Sequence, residues 1–228
     1  DERIVSGTAA EFAGQDFAPL SVMLTEPAPT VGDLTPGIPD ETFVHGKVPM
    51  TKRDVRAAIL SRMKIESDNL VWDVGSGTGS VTIELAMKAS AGKVYAVERN
   101  PEGIGLLAEN RRKFGVWNII SKEGSAPEAL RDLPAPDRVF IGGSGGDLRQ
   151  IIDLILDKNG QARICVAAIV LETLQEAILR MTARGLDTEI VQIAANKARQ
   201  VGSGHMMLAE NPVYIVTGQR AETGGYND

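Results

Sequence analysis

From Leu70 to Arg184 the chain alternates short apolar runs with amphipathic stretches, and this rhythm constrains the fold more than any other feature. Strands are expected at Leu70–Val74, Lys93–Glu98, Trp117–Lys122, Arg138–Gly142 and Ala162–Ala168, with helices between and after them at Gly79–Ala89, Pro101–Phe114, Ser125–Arg131, Gly146–Asp157 and Val170–Arg184. Apolar strands that alternate with amphipathic helices specify a parallel sheet covered on both faces. Right-handed crossovers make that sheet doubly wound, with ligands beyond the carboxyl ends of its strands. Two final strands, Thr188–Ala194 and Val213–Thr217, have no helix between them and should pair antiparallel, giving an α/β sheet of seven strands. No repeat or low-complexity segment interrupts the pattern.

Before this region the character differs. Six of the eleven prolines fall between Pro19 and Pro49, which favours an extended arm or linker over helix. Within it, Phe17–Thr25 is apolar enough for a strand, either the tail of a preceding domain or a strand docking on the main one. Thr51 is placed to cap a helix whose apolar face is Val55, Ala58, Ile59 and Met63. The division expected is a tail and linker over 1–36, a main domain over 37–220 and a short tail over 221–228. A start at Asp1 rather than Met reads as a fragment.

Composition enters as exclusion. The longest apolar run, Ile164–Leu171, is far shorter than the roughly 18 residues of a membrane span. One cysteine, Cys165, forbids an internal disulfide and fits a reducing cytoplasm; mid-strand, it reads as core packing. Twenty-four Lys and Arg against 30 Asp and Glu leave a net charge of −6, the wrong sign for a chain that grips phosphate backbones, so neither nucleic acid nor membrane is expected as a partner. Two histidines and one cysteine offer no metal cluster.

The sharpest motif is Val71-Trp-Asp-Val-Gly75-Ser-Gly77-Thr-Gly79, a strand running into a helix. Glycines at 75, 77 and 79 permit a tight turn and close approach to a ligand. The helix start then aims amide hydrogens at that ligand. Alone the turn is shared by many nucleotide and dinucleotide binders, and it reads equally as a packing turn. Ser80 stands where a dinucleotide fingerprint needs its third glycine, and there is no phosphate-loop Lys-Ser/Thr pair. Asp73 sits two residues before the first glycine, suited to an ammonium and unsuited to a pyrophosphate. Glu98 closes the next strand, where an acid takes ribose hydroxyls. A ligand with an amino-acid end and a nucleoside end is S-adenosylmethionine, and Asp73, Gly75, Ser76, Gly77, Thr78, Gly79 and Glu98 are the residues expected to bind it.

Asp-Val-Gly-Ser-Gly-Thr-Gly with Val97-Glu98-Arg-Asn-Pro101 resembles the class I S-adenosylmethionine-dependent methyltransferases. Ile38-Pro-Asp-Glu-Thr-Phe43, Pro49-Met-Thr-Lys-Arg-Asp-Val-Arg56, Glu123-Gly-Ser-Ala-Pro-Glu-Ala-Leu130 and Phe140-Ile-Gly-Gly-Ser-Gly-Gly146 resemble, more narrowly, the decarboxylating precorrin methyltransferases of cobalamin biosynthesis. The likeness runs from about Ile38 to Thr217, through Leu171-Glu-Thr173 and Asn211-Pro-Val213. It implies methylation of a precorrin at carbon 15 and decarboxylation of the carbon-12 acetate. It also implies a homo-oligomer, a tetramer in that family. In two-domain members this domain follows a second methyltransferase domain, to which Phe17–Thr25 would belong.

The same resemblance puts Thr51 over the cofactor and Ala126 against the adenine, where a small residue admits a flat ring; helix capping and a helix start with Pro127 are the plainer readings. Gly143, Ser144 and Gly145 form a side-chain-poor lip with room for a tetrapyrrole, or simply a loop. Arg199 and His205, with Lys197, lie in the final inter-strand loop, where they meet substrate carboxylates or only solvent; His205 and His45 lack a carboxylate at motif spacing. No catalytic dyad is visible. A methyltransferase acting on transfer RNA or protein, and a non-catalytic cofactor-binding module, share the glycine loop.

Overall fold

The computed structural model describes residues 4–24 and 36–221. A short helix α1 (Ala9–Phe12) lies in the first segment, closed by a reciprocal Thr8–Glu11 capping box. In the second, α2 (Arg53–Met63), β1 (Leu70–Val74), α3 (Ser80–Lys88), β2 (Lys93–Glu98), α4 (Pro101–Lys113), β3 (Ile119–Glu123), β4 (Arg138–Ile141), α5 (Leu148–Lys158), β5 (Arg163–Ala168) and α6 (Leu171–Ala183) follow in turn. Four strands complete the chain: β6 (Asp187–Ile193), β7 (Lys197–Val201), β8 (Gly204–Leu208) and β9 (Val213–Gln219). Seven strands form one sheet in the order β3-β2-β1-β4-β5-β9-β6. β1 to β5 pair parallel, and β9 runs antiparallel to both β5 and β6. This is the doubly wound sheet expected from the alternation, with its last strands antiparallel, as the resemblance to class I methyltransferases also implies.

The period-2 side-chain alternation of the central strands explains the two cores. Val71 and Phe140 face α2, α3 and α4, packing with Ile59, Met63, Ile83, Leu85 and Leu107. Trp72, Val74, Val139 and Ile141 face α5 and α6, packing with Ile151, Ile152, Ala177 and Met181. Both faces are apolar, so the central strands β1, β4 and β5 are mostly buried, as a parallel sheet requires.

Several expectations are corrected. Residues 17–24 carry no strand, and Leu20 and Val22 are 99% exposed; Thr25 and most of the linker lie outside the described residues. Ser125–Arg131 is not a helix but a 3-10 turn at Glu128–Leu130, since prolines at 127, 134 and 136 leave space for one turn only. Thr51 does not cap α2: the cap position is Lys52, with no side-chain hydrogen bond. The stretch between the last two sheet strands is not a loop but a separate two-stranded ribbon, β7 with β8. Among the described residues no helix is long and apolar enough to cross a membrane, and no group of three or more metal-ligating side chains assembles.

Candidate functional site

Strand order reverses at β1 and β4, and the loops that follow these two strands touch. The amides of Gly142 and Gly143 both donate to the Val74 carbonyl, at 2.9 and 3.2 Å. Gly75 has φ +77, and a Cβ there would stand 2.7 Å from the Gly143 backbone, so glycine is required on conformation and on space. A cavity of about 1030 Å3 opens over this junction, bounded by the ends of β1, β2, β4 and β5 and by the N-terminal arm. It lies at the upper edge of the ~300–1,000 Å3 usual for a small-molecule site.

Gly75, Ser76, Gly77 and Thr78 line the inner part of the cavity, together with Glu98 and Ala126. Thr51 lines it from the arm, and Gly143, Ser144 and Gly145 form its lip. The remaining expected residues are elsewhere. Gly79 is absent from the wall; at φ +78 it begins α3, and a Cβ there would meet Leu107 Cδ1 at 2.2 Å, so its role is helix packing. Arg199 and His205 are on the exposed β7–β8 ribbon, outside the wall. The ribbon turns at Gly202-Ser203, a two-residue connection whose glycine has φ +58. A Gly-Ser pair between two short segments is a hairpin signal that was legible in the sequence.

Asp73 is also off the wall, wholly buried beneath the glycine loop on the α3 side of the sheet. Thr82 Oγ1 donates to its Oδ2 at 2.5 Å, while Oδ1 has no partner among the described residues. Burial pushes the carboxyl up to about 7, assisted by the nearby Glu98 charge and opposed by the Thr82 bond. Ser76 Oγ and Thr78 Oγ1 are likewise buried and without partners among the described residues. Three polar atoms left unsatisfied around one loop call for a polar ligand or water, since each buried alone is costly.

Glu98 is more committed than its position implied. One oxygen accepts from the Gly77 amide at 2.8 Å; the other accepts from Arg99 and Asn100 amides at 2.9 and 2.8 Å. A carboxylate has about four acceptor positions, so capacity for one further donor remains. The Gly75 and Ser76 amides are spent on the Val97 carbonyl and the Gly79 amide on Ser76. Thr78 alone in the loop presents an amide without an acceptor among the described residues.

Sequence reasoning missed the groups that hold the arm. Arg56 is fully buried and donates to Glu84 Oε1 at 2.9 Å, to Asp40 Oδ1 at 2.8 Å and to the carbonyls of Thr51 and Ile38. Glu84 also accepts from the Gly37 and Ile38 amides, at 2.7 and 3.1 Å. Asn110, buried on α4, donates to the carbonyls of Thr78 and Val44 and accepts from the Val44 amide. One amide side chain thus ties the glycine loop to the arm that crosses it. Acidic Glu84 amid Val81, Ile83 and Leu85 was the available signal: a charge in an apolar run needs a buried partner.

Comparison with known proteins bears on this site. The precorrin methyltransferase domain family matches residues 41–220. A Pyrobaculum calidifontis protein, named a probable cobalt-precorrin-6B C(15)-methyltransferase (decarboxylating), is 40% identical over 186 residues, covering 80% of this chain and 95% of that protein. The crystal structure of a precorrin-6y C5,15-methyltransferase from Geobacter metallireducens superposes with a TM-score of 0.77 at 38% identity, covering 81% of this chain and 98% of the other. The C-terminal domain of the Rhodobacter capsulatus precorrin-6Y C5,15-methyltransferase superposes with a TM-score of 0.70 at 30% identity, with coverage of 81% and 98%.

Proposed function

The chain belongs to the precorrin methyltransferase family, and from that premise we propose that it methylates carbon 15 of a precorrin and releases the carbon-12 acetate carboxyl as carbon dioxide. The observation that carries this reading is one cavity with two unlike stretches of wall. One stretch, the glycine loop, is a polar cradle whose Ser76 and Thr78 hydroxyls have no partner among the described residues; another, Gly142-Gly143-Ser144-Gly145, is poor in side chains. The fold class and the family imply use of S-adenosylmethionine, and the cradle fits it: an acceptor position on Glu98 suits a ribose hydroxyl, and Thr78 and Ser76 suit an amino-acid end.

When bound, S-adenosylmethionine supplies an electrophilic methyl group on a sulfonium. The work of the protein is to hold and orient. Thr51, Gly75, Ser76, Gly77, Thr78, Glu98 and Ala126 form the cofactor wall, with Asp73 beneath it. Gly143, Ser144 and Gly145 leave the mouth wide enough for a tetrapyrrole. The cavity wall holds no acid–base pair in hydrogen-bonding contact among the described residues, which suits a displacement driven by positioning. Orientation and exclusion of water can contribute ~7–11 kcal/mol. For decarboxylation, the conjugated macrocycle takes the electron pair left when the carboxyl departs.

Residues 1–36 are read as belonging with a preceding domain of a longer chain, supported by the exposure of 4–24. A homo-oligomer is supported by Val201, Met206 and Met207, half-exposed apolar residues on the projecting ribbon. Cytoplasmic residence follows from a biosynthetic role. The test is incubation of the purified chain with S-adenosylmethionine and either a precorrin or total RNA. One methyl gained and one carbon dioxide lost, by mass spectrometry of the macrocycle, is the expected result. Methyl transfer to RNA alone would overturn it.

A further inference from the structure

Among the described residues the cavity wall carries two cationic side chains, Lys52 and Arg99. Lys52 comes from the arm, immediately before α2; Arg99 comes from the end of β2, immediately after Glu98. A Cβ placed on Gly145 would stand 3.5 Å from Arg99 Nη1, so this guanidinium lies against the glycine lip. The Arg99 main chain is fixed there by its amide bond to Glu98.

Neither cation has an ion pair or a side-chain hydrogen bond among the described residues. Arg56, Arg62, Arg180 and Arg184, by contrast, are all paired to carboxylates. Three acids share the wall: Glu98, committed to three amides, and Asp147 and Glu210, neither within 4 Å of Lys52 or Arg99. The wall at the end of β5 is uncharged, with Ile169 and Val170 60% and 55% exposed although they belong to the longest apolar run of the chain. An apolar ledge and two unpaired cations on the wall of one cavity are complementary to a flat ring with carboxylates at its edge.

We propose that Lys52 and Arg99 bind peripheral carboxylates of the substrate macrocycle while its face rests on Ile169 and Val170. They thereby fix which edge of the ring points into the pocket. This assignment rests on the precorrin reading and replaces Arg199 and His205 as the substrate's charged partners. Arg99, with a planar fork, forms the bidentate contact; Lys52 acts as a point charge. Lys52 follows Thr51 and Arg99 follows Glu98 in the chain, so replacing the two side chains leaves the cofactor's residues in place, and the effect falls on substrate affinity and on position of attack.

Arg99→Gln, Lys52→Gln and the double variant are compared with wild type for KM, kcat, product methylation site, equilibrium binding of the precorrin by absorbance, and binding of S-adenosylmethionine by calorimetry. A charge-assisted hydrogen bond lost is expected to raise precorrin KM and Kd about tenfold per residue, with cofactor affinity within about twofold. Raising salt should weaken wild-type precorrin binding more steeply than that of the double variant. Unchanged precorrin binding in the double variant overturns the proposal, as does a loss confined to the cofactor. Wild-type chain that binds the precorrin with this charge dependence but does not methylate it would leave the clamp standing and remove the proposed reaction instead.

Discussion

Replacing Arg56 by methionine should detach the arm from the domain it covers. The guanidinium has no exposure to solvent and reaches Glu84, Asp40 and the carbonyls of Thr51 and Ile38; it also lies 4.7 Å from the centre of the Phe43 ring. Methionine fills much of the space and supplies none of the donors. Glu84, equally buried, then loses its cationic partner, while the Gly37 and Ile38 amides still donate to it. Removing one member of a buried ion pair costs ~3–5 kcal/mol. At ~2–4 °C per kcal/mol for a domain of this size, the melting temperature should fall by about 6–20 °C at neutral pH. The double variant Arg56→Met with Glu84→Met should recover part of that loss, because both members of the buried pair are then replaced by apolar groups. Its cofactor affinity should stay reduced, since the Thr51 carbonyl is still unheld at the cavity wall. Differential scanning calorimetry gives the first quantity and titration calorimetry the second. A fall of less than about 3 °C in the single variant, or wild-type cofactor affinity in the double, would refute the latch.

Asp73→Asn tests the buried carboxyl. Its folded pKa near 7 exceeds the ordinary 3.8, so its contribution to stability is full below 3.8 and lost as pH rises through about 7; the variant should melt above wild type at pH 8 and lose that advantage at pH 4. Glu98→Ala should weaken S-adenosylmethionine binding by at least ~1.5 kcal/mol and lower thermal stability, because three amides lose their acceptor; a folded variant with unchanged affinity removes Glu98 from the site. Deleting residues 1–29 should leave melting temperature and cofactor affinity unchanged, whereas deletion through Thr51 should damage both, and an unfolded product from the shorter deletion would show the first segment to be part of the domain.

The parts of the fold read correctly from sequence are those governed by periodicity. Val71, Val94 and Val139 sit in runs whose pattern needs burial on both sides, which a parallel sheet covered by helices on both faces supplies. Gly75 was legible because its neighbours in sequence form the turn. The failures share a different cause. Arg199 and His205 were placed at the substrate by type of charge, but which end of an inter-strand segment approaches a cavity depends on tertiary path, and the ribbon carries them away. Asp73 was given the pocket because a carboxylate suits an ammonium group, yet strand pleat turns it under the loop toward Thr82. The Arg56–Glu84 pair is separated by 28 residues. Nothing local in either helix names its partner; only the odd charge in an apolar face announced that one existed. Glu98 shows the subtler limit, since its location was right and its three amide bonds were invisible.

The strand β9 lies between β5 and β6 although it follows both in the chain. As the polypeptide leaves the ribosome, β1 to β5 can assemble in order, but β6 then has no neighbour to join, because the place beside β5 is reserved for a segment not yet made. Until residues 213–219 emerge, the open edge of β5 carries Ile164, Cys165 and Val166 with unpaired backbone, a surface that invites pairing with other chains. The sheet therefore closes only after residues 213–219 have been made, and a chain interrupted ahead of Val213 would be a substrate for chaperones and proteases rather than a partly active enzyme. Insertion of β9 commits two neighbours at once, converting a growing sheet into a finished one in a single late step.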